Sequence, residues 1–341
     1  MLVVGVLRTR VSGEISDGPP VTAEGPALTD ATVRDLPSHL RPGDLLVVND
    51  VRVHAARLRA RRGTGGEVEV LLVRPAATGG ATDVPVWEAL VRPSRRLQIG
   101  ERLSCGVGSI VIMGRLPSGA MLVKCAPDVA ALTTSAGEVP LPPYMDRRPT
   151  AEDVARYQTV YARGATLAAA APTAGLHLTE RLLAEVDARG VERVSVTLEV
   201  GLGTFQPLRA EQIERGRLHE ERYFVPTASW HAVQRARRDG RRVIAVGTTT
   251  VRVLESMVAP GAGETTIFIR EGHAFRHVDA LLTNFHLPRS SLLMLVSAFG
   301  GRQRVRAAYE HALQTRYRFY SYGDSMFLTA AHADGADRAQ S

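Results

Sequence analysis

Hydrophobic and polar positions divide the chain into two regions with different patterns. From about residue 45 to residue 125, short apolar and β-branched runs are separated by Gly, Pro and Asp turns. These runs are DLLVVND, VEVLLV, VWEALV, SIVIM and AMLVKC, and no helical period competes with them. The pattern predicts a small all-β barrel or sandwich, and the proline-rich segment GEVPLPPYMDRR that follows suits a linker.

After residue 150, segments with a helical period alternate with short apolar strands. LTERLLAEVDARG and ASWHAVQRARRDG are amphipathic and end at Gly190 and Gly240, which are typical helix stops. The strands between and after them are ERVSVTLEVG, RRVIAVG, TTIFIR and HVDALLTN. This alternation predicts an α/β domain with a barrel-like, mixed or largely parallel sheet.

Polar residues follow each predicted strand of the α/β region. In such sheets ligands bind at the carboxyl ends of the strands, where glycine permits close approach and helix N-termini favour anions. The segments concerned are PTAGLH, GLGTFQP, TTTVR and TNFHLPRS. They carry Thr173, His177, Thr204, Thr248–Thr250, Arg252, Thr283, Asn284 and His286. The pattern therefore predicts a ligand site built from these loops.

Other site types fit the residues less well. Gly201-Leu-Gly203 lacks the helix and the third glycine of a dinucleotide fold. The histidines His177, His219 and His286, with Glu199, would suit Zn or Fe, but no pair has i,i+4 spacing and no HExxH occurs. We predict no metal site. For Thr248–Thr250, plain N-capping of a helix stays open as an alternative.

Composition and charge exclude only some classes of function. The chain has 341 residues, 45% hydrophobic, with a net charge of +7, which permits nucleic-acid binding without demanding it. Lys124 is the only lysine, so a Walker phosphate loop is excluded. Cys105 and Cys125 lack metal-ligand spacing and are expected to be free thiols. No apolar run has membrane-spanning length and no signal peptide is seen, so we expect a cytoplasmic protein.

Several sequence blocks occur in the order of a known family over residues 35–330. They are GDLLVVNDVRVHAARL, GEVPLPPYMDRR, RYQTVYA, AAAPTAGLHLTERLL, VGLGTFQPLR, VIAVGTTTVRVLES, DALLTNFHLPRSSLLMLVSAF and YRFYSYGDSMFL. The chain thus resembles the S-adenosylmethionine:tRNA ribosyltransferase-isomerases of the queuosine pathway. The resemblance implies S-adenosylmethionine as a ribosyl donor and no permanently bound cofactor or metal.

The resemblance also implies the acceptor and the architecture. The acceptor is the aminomethyl group of a 7-deazaguanine at the wobble position of a tRNA anticodon. The ribose is rearranged to give epoxyqueuosine, and adenine and methionine are released. The implied fold is an α/β domain, residues 1–51 and 143–330, with a small β-barrel inserted at 52–142. Residues 331–341 are expected to be a disordered tail.

The implied chemistry assigns expected roles to particular residues. His177, Glu199, His219 and His286 are candidates for the catalytic acid or base. Arg252 and the Thr248–Thr250 amides would clamp the methionine carboxylate, while Asp279 or Asp324 would contact ribose or ammonium groups. Asn49, Asp50 and Arg52 form a charged group entering the β domain, with a structural hinge as the alternative. Further expected substrate-binding residues are Tyr144, Thr173, Thr204, Glu221, Thr283 and Asn284.

The sequence also departs from the family pattern. Glu199 stands where the family usually has His, the N-terminal segment differs, and Glu271-Gly272-His273 replaces Pro-Gly-Tyr. Because a carboxylate changes charge and proton transfer, two alternatives stay open. One is a diverged paralogue that uses S-adenosylmethionine with a small-molecule acceptor, or as a lyase or hydrolase. The other is a binding module without turnover. The expected partners are S-adenosylmethionine and a tRNA anticodon stem-loop, and the expected assembly is a monomer or small homo-oligomer.

Overall fold

The structure, a computed structural model, describes residues 1–4, 28–76, 85–163, 167–199, 208 and 210–330. The predicted tail at 331–341 and the candidate Thr204 lie outside these residues. Within them the chain forms a large mixed sheet flanked by helices and a separate small barrel.

The large sheet is a row of strands, numbered along the chain, with a parallel centre. In spatial order its described strands are β16 (Gly261–Ile267), β14 (Arg217–Val225), β13 (Glu192–Leu198), β3 (Leu45–Asn49), β15 (Val243–Val246), β17 (Ala280–Asn284), β18 (Ser325–Thr329), β1 (Leu2–Val4) and β2 (Leu28–Asp30). β13, β3, β15 and β17 are parallel neighbours, and β1 is parallel to β18. The remaining pairs are antiparallel. The predicted mixed sheet is confirmed.

The small barrel is a closed antiparallel sheet. Its strands follow the order β5 (Arg57–Arg62), β6 (Glu67–Pro75), β7 (Val86–Arg92), β10 (Met121–Ala126), β9 (Gly108–Arg115) and β8 (Arg102–Cys105), and β8 pairs back to β5. Alternate residues such as Val68 and Val70 point into its core, as the period of two requires. β11 (Gly137–Glu138) extends β5, and α2 (Val129–Ala136) packs on the strands. The predicted all-β unit is confirmed, while its boundaries at 52 and 142 stay a prediction.

A two-strand pair joins the two parts, with β4 (Arg52–Val53) parallel to β12 (Leu167–Ala168). The other α-helices are α1 (Leu36–His39), α3 (Ala151–Arg156), α4 (Glu180–Ala188), α5 (Ala210–Arg215), α6 (Thr227–Arg238), α7 (Thr248–Ser256), α8 (Ser291–Gly300) and α9 (Arg302–Gln314). Short 3-10 helices cover Val33–Asp35, Pro143–Met145 and Thr173–His177. None of the helices in the described ranges is long and apolar enough to cross a membrane.

Helices cover both faces of the large sheet. Along β15, Val243 and Ala245 pack into the core beneath α6 to α9, whereas Ile244 and Val246 pack on the α4 side. Both faces are therefore buried, which explains why RRVIAVG is a continuous apolar run instead of an alternating one. The helix predicted to stop at Gly190 does so, with Gly190 in the left-handed region (φ +78°).

Strand β14 was missed by the sequence analysis. Its inward positions are Glu221, Tyr223 and Val225, so a charged residue occupies a buried site and hides the alternation. β14 and β16 pair antiparallel and extend the parallel centre at one edge.

Candidate active site

The carboxyl ends of the four central parallel strands lie along one edge of the sheet, where Asn49, Glu199, Gly247 and Asn284 are found. A cavity of about 540 Å³ opens beside the ends of β15 and β17. It is within the volume range of ligand pockets. Ten predicted site residues line it: Tyr144, Thr173, His219, Glu221, Thr248, Thr249, Arg252, Thr283, Asn284 and His286.

The N-terminus of α7 forms one wall of this cavity. Gly247 has a φ of +87°, which turns the chain from β15 directly into the helix. The hydroxyl of Thr250 donates to the Val246 carbonyl at 2.7 Å and so has a structural role. The Thr249 hydroxyl is buried and has no hydrogen-bond partner among the described residues. Because first-turn amides of a helix lack internal partners, this wall favours an anion.

A buried ion pair lies beside the helix terminus. Nη1 of Arg252 contacts a carboxylate oxygen of Glu221, and the two side chains are only 9% and 3% exposed. In the described part of the chain, Nε and Nη2 of Arg252 have no hydrogen-bond partner. Buried guanidinium donors are normally satisfied, since an unmade hydrogen bond to a charged group is costly. Arg252 therefore offers two donors to a ligand in the cavity.

The segment after β17 supplies a second polar wall. Nε2 of His286 lies 2.8 Å from the Thr283 hydroxyl, and the His286 amide donates to Tyr309 at 2.7 Å. Burial lowers the pKa of His286 to about 4, so the imidazole is neutral at pH 7. Nδ2 of Asn284 donates to the Tyr320 carbonyl at 2.8 Å, while its Oδ1 is buried without a partner in the described ranges.

Aromatic residues that the sequence analysis did not select also line the cavity. Tyr157 and Tyr320 join Tyr144 on its wall, and Arg289 lies at its exposed rim. Both tyrosines belong to the blocks RYQTVYA and YRFYSYGDSMFL, from which only Asp324 was chosen. Aromatic residues in irregular segments carry no periodic signal, so only the folded chain reveals their common location.

His177 lies behind the cavity wall. Burial lowers its pKa, and the neighbouring Asn284 side chain offsets that effect in part. His177 is not on the cavity surface, whereas Thr173 of the same 3-10 helix is.

Glu199 and His219 lie towards the barrel. A second cavity of about 310 Å³ is lined by Arg74, Glu88, Glu220 and His219, with the turn 116–118. Arg74 of the barrel pairs with Glu88 at 3.1 Å and reaches Glu220 of β14 at 3.7 Å. Burial raises the pKa of Glu199, and Arg222 and Arg74 oppose that shift. His219 is shared by both cavities, while Glu199 lines neither.

Of the three predicted residues at the entrance to the barrel, Asn49 and Asp50 bind the backbone or neighbouring side chains. Asn49 is fully buried and holds β3 to β13 through the backbone of Leu198. The carboxylate of Asp50 accepts from Ser195 and Thr197, both at 2.7 Å. Arg52 is exposed on β4. These contacts favour a structural role for Asn49 and Asp50, and the expected role of Arg52 stays a prediction.

Two predicted aspartates are also absent from the cavity surface. Asp279 precedes β17 and therefore lies at the opposite edge of the sheet, paired with Arg237 at 2.9 Å and accepting from the Val243 amide. Asp324 accepts from the Arg318 amide at 2.7 Å in the turn before β18. Their expected roles in substrate binding stay predictions.

Among the described residues, no group of three or more His, Cys, Asp or Glu side chains could hold a metal ion. Cys105 and Cys125 are buried free thiols of the barrel. Burial raises the pKa of Cys125 to about 12, so this thiol stays protonated at neutral pH.

Comparison with known proteins gives consistent matches. The family profile described as queuosine biosynthesis protein matches residues 21–328. The S-adenosylmethionine:tRNA ribosyltransferase-isomerase of Anaeromyxobacter dehalogenans (strain 2CP-C) is 50% identical over 302 residues, covering 86% of each chain. The Rubrobacter xylanophilus enzyme of the same name is 51% identical over 298 residues, covering 86% of this chain and 85% of its own. A solved structure of S-adenosylmethionine tRNA ribosyltransferase from Thermotoga maritima is 34% identical, covers 86% of this chain and 85% of its own, and has a TM-score of 0.44.

Proposed function

We infer the reaction of this chain from the family to which it belongs, that of the queuosine biosynthesis proteins. The enzyme transfers the ribosyl group of S-adenosylmethionine to the aminomethyl group of a 7-deazaguanine base in tRNA and isomerises it. Epoxyqueuosine in tRNA, adenine and methionine are the products. A tRNA acceptor is supported over a small-molecule acceptor, because relatives about 50% identical over most of the chain carry the tRNA enzyme's name.

The observation that carries this proposal is the pair of guanidinium donors of Arg252, beside the N-terminus of α7, that have no hydrogen-bond partner among the described residues. S-adenosylmethionine carries a carboxylate, and a guanidinium fork with free helix amides suits a carboxylate. Glu221 holds Nη1 and thereby leaves Nε and Nη2 for the ligand. S-adenosylmethionine would bind here as a substrate, with no cofactor retained between turnovers.

Proton transfer is assigned to His219. A base is needed to free the acceptor amine or to remove a proton beside the sulfonium. Because the pKa of His286 is about 4, its imidazole is a weak base and suits hydrogen bonding in the neutral form. His177 does not reach the cavity surface, whereas His219 lies where the two cavities meet.

Positive charge suits the RNA partner. The net charge of +7 is carried almost entirely by arginine, and Arg289 lies at the exposed rim of the cavity. Phosphate contacts of this kind make affinity fall with rising salt. We expect the tRNA substrate to place the enzyme in the cytoplasm, as a monomer or small homo-oligomer.

The test is product release from S-adenosylmethionine. The purified protein is incubated with S-adenosylmethionine and a tRNA bearing the 7-aminomethyl-7-deazaguanine base, and adenine and methionine are followed by chromatography. The matched control is the same tRNA with guanine at the wobble position. We expect release only with the modified tRNA. Release without tRNA, or with a small amine alone, would contradict the proposed acceptor, and binding without release would contradict catalysis.

A further inference from the structure

Two tyrosines form an aromatic pair at the mouth of the cavity. The rings of Tyr144 and Tyr320 lie 4.9 Å apart between centroids, at 50° to each other, and both line the cavity. Tyr144 is 42% exposed and Tyr320 is half-buried, in contrast to the buried residues Arg252, 7% exposed, and Asn284, 2% exposed. The pair therefore occupies the solvent end of the cavity, and the charged and amide groups occupy the deep end.

The backbone of Tyr320 is held in an unusual conformation. Its φ of +74° lies in the left-handed region, which is uncommon for a bulky residue and persists only where the surroundings determine it. The Tyr320 amide donates to Phe285 at 3.1 Å, and its carbonyl accepts from Asn284 at 2.8 Å. Tyr320 is thus fixed to the end of β17 by two hydrogen bonds.

Tyr144 is fixed to the same turn from the other side. Its hydroxyl donates to the Ser321 hydroxyl and accepts from the Ser321 amide at 2.8 Å. Phe319 packs against Phe285 with centroids 4.9 Å apart, which anchors the turn to the core. Two rings on different segments are therefore positioned before any ligand arrives, and such rigid aromatic surfaces bind planar bases with little loss of entropy.

We propose that Tyr320 and Tyr144 form a stacking platform for the acceptor base of the tRNA, with Asn284 as the positioning residue that holds Tyr320. This proposal rests on the function proposed above and names the part of the site that binds the acceptor. A tRNA cannot enter a cavity of about 540 Å³ as a whole, so only an unstacked base reaches inside. That base arrives from solvent and meets the exposed Tyr144 ring and the half-buried Tyr320 ring first, whereas the carboxylate of S-adenosylmethionine is matched to the deep Arg252.

The test is a double-mutant cycle that combines removal of the Tyr320 ring with removal of the wobble base. Affinities are measured for anticodon stem-loops with the 7-aminomethyl-7-deazaguanine base or an abasic wobble position. The wild-type protein should prefer the base-bearing stem-loop by about 5- to 150-fold, the range of one base–aromatic stack. Tyr320→Gly removes the ring and suits the left-handed backbone, so it should fold and lose this preference. Tyr320→Phe keeps an aromatic ring and should therefore show the same preference as the wild type.

Controls separate the platform from other effects. Phe224→Ala removes an exposed ring outside the cavity and should leave the preference unchanged. If Tyr320→Gly keeps the wild-type preference, or if the wild type has none, the platform is overturned. If only S-adenosylmethionine binding weakens, the rings stack on adenine and the acceptor assignment is wrong. Adenine release by the wild type with modified tRNA is measured in parallel, so failure of the platform and failure of the proposed reaction are distinguished.

Discussion

Replacing Arg252 alone, and then Arg252 together with Glu221, separates folding from ligand binding. The Arg252→Met variant leaves the Glu221 carboxylate buried beside an apolar side chain. Both side chains are less than 10% exposed, so breaking the pair should cost about 3–5 kcal/mol of unfolding free energy. The double variant Arg252→Met with Glu221→Leu removes both charges. Replacement of a buried ion pair by apolar residues is often neutral or stabilising, so the double variant should regain the lost stability.

The effect on binding follows from the two donors of Arg252 that have no partner in the described part of the chain. Nε and Nη2 can each donate to one carboxylate oxygen, and a hydrogen bond to a charged group contributes about 1.5–3 kcal/mol. Two bonds at the lower value give about 3 kcal/mol, or about 150-fold in affinity. The wild-type protein should therefore bind S-adenosylmethionine about 150-fold more tightly than its decarboxylated analogue. The double variant should retain only the part of this preference due to the α7 amides.

Isothermal titration calorimetry with both ligands measures this preference, and urea denaturation confirms that each variant is folded. Arg289→Met is the matched control, because it removes an arginine from the exposed rim of the same cavity. It should keep the preference for the carboxylate. A folded double variant that still discriminates about 150-fold would refute the assignment and place the carboxylate elsewhere in the site.

Four further predictions concern single residues. His219→Gln should lower kcat by about 10²- to 10⁴-fold with little change in S-adenosylmethionine affinity, as measured by single-turnover kinetics and calorimetry. The pKa of His286 falls from 6.5 to about 4 on folding, so the unfolded chain binds more protons between these values and stability should rise with pH there. His286→Gln should remove up to about 3 kcal/mol of that pH dependence in denaturation curves at pH 4, 5.5 and 7. Burial raises the pKa of Glu199 in the folded state, so its ionisation opposes folding; Glu199→Gln should raise the Tm more at pH 8 than at pH 4. Asp279→Asn weakens the ion pair with Arg237 and should lower the Tm by about 2–6 °C without changing the KM for S-adenosylmethionine. A raised KM would indicate that Asp279 contributes to substrate binding.

Many of the residues that line the candidate site could be predicted from the sequence, because strand ends are local signals. Gly247 and Asn284 directly follow apolar strands, and parallel pairing then brings them to one edge. The same rule places Asp279, which precedes its strand, at the opposite edge, although the sequence analysis grouped it with the site. Strand polarity along the chain is thus as informative as the residue type.

Other parts of the site depend on long-range packing. The buried Glu221 pairs with Arg252 of α7, about 30 residues further along the chain, and nothing near Glu221 in sequence indicates this pair. Tyr320 reaches the cavity through a left-handed backbone held by Asn284, which no periodic pattern reveals. The roles expected for Asn49 and Asp50 were undecided for the same reason, since their partners on β13 are far away in sequence.

The order of strands in the large sheet bears on synthesis of the chain at the ribosome. Leu2 of β1 pairs with Met326 of β18, whereas all barrel strands lie between Arg57 and Glu138. At about 5–20 residues per second, roughly 15–60 s separate the emergence of β1 from that of β18. The barrel, with its nearby partners, can fold during that interval, while β1 lacks its parallel neighbour. Because synthesis proceeds from the N-terminus, the edge of the large sheet formed by β1 and β18 is completed after the barrel. The newly made chain is most exposed to chaperones and proteases at this edge.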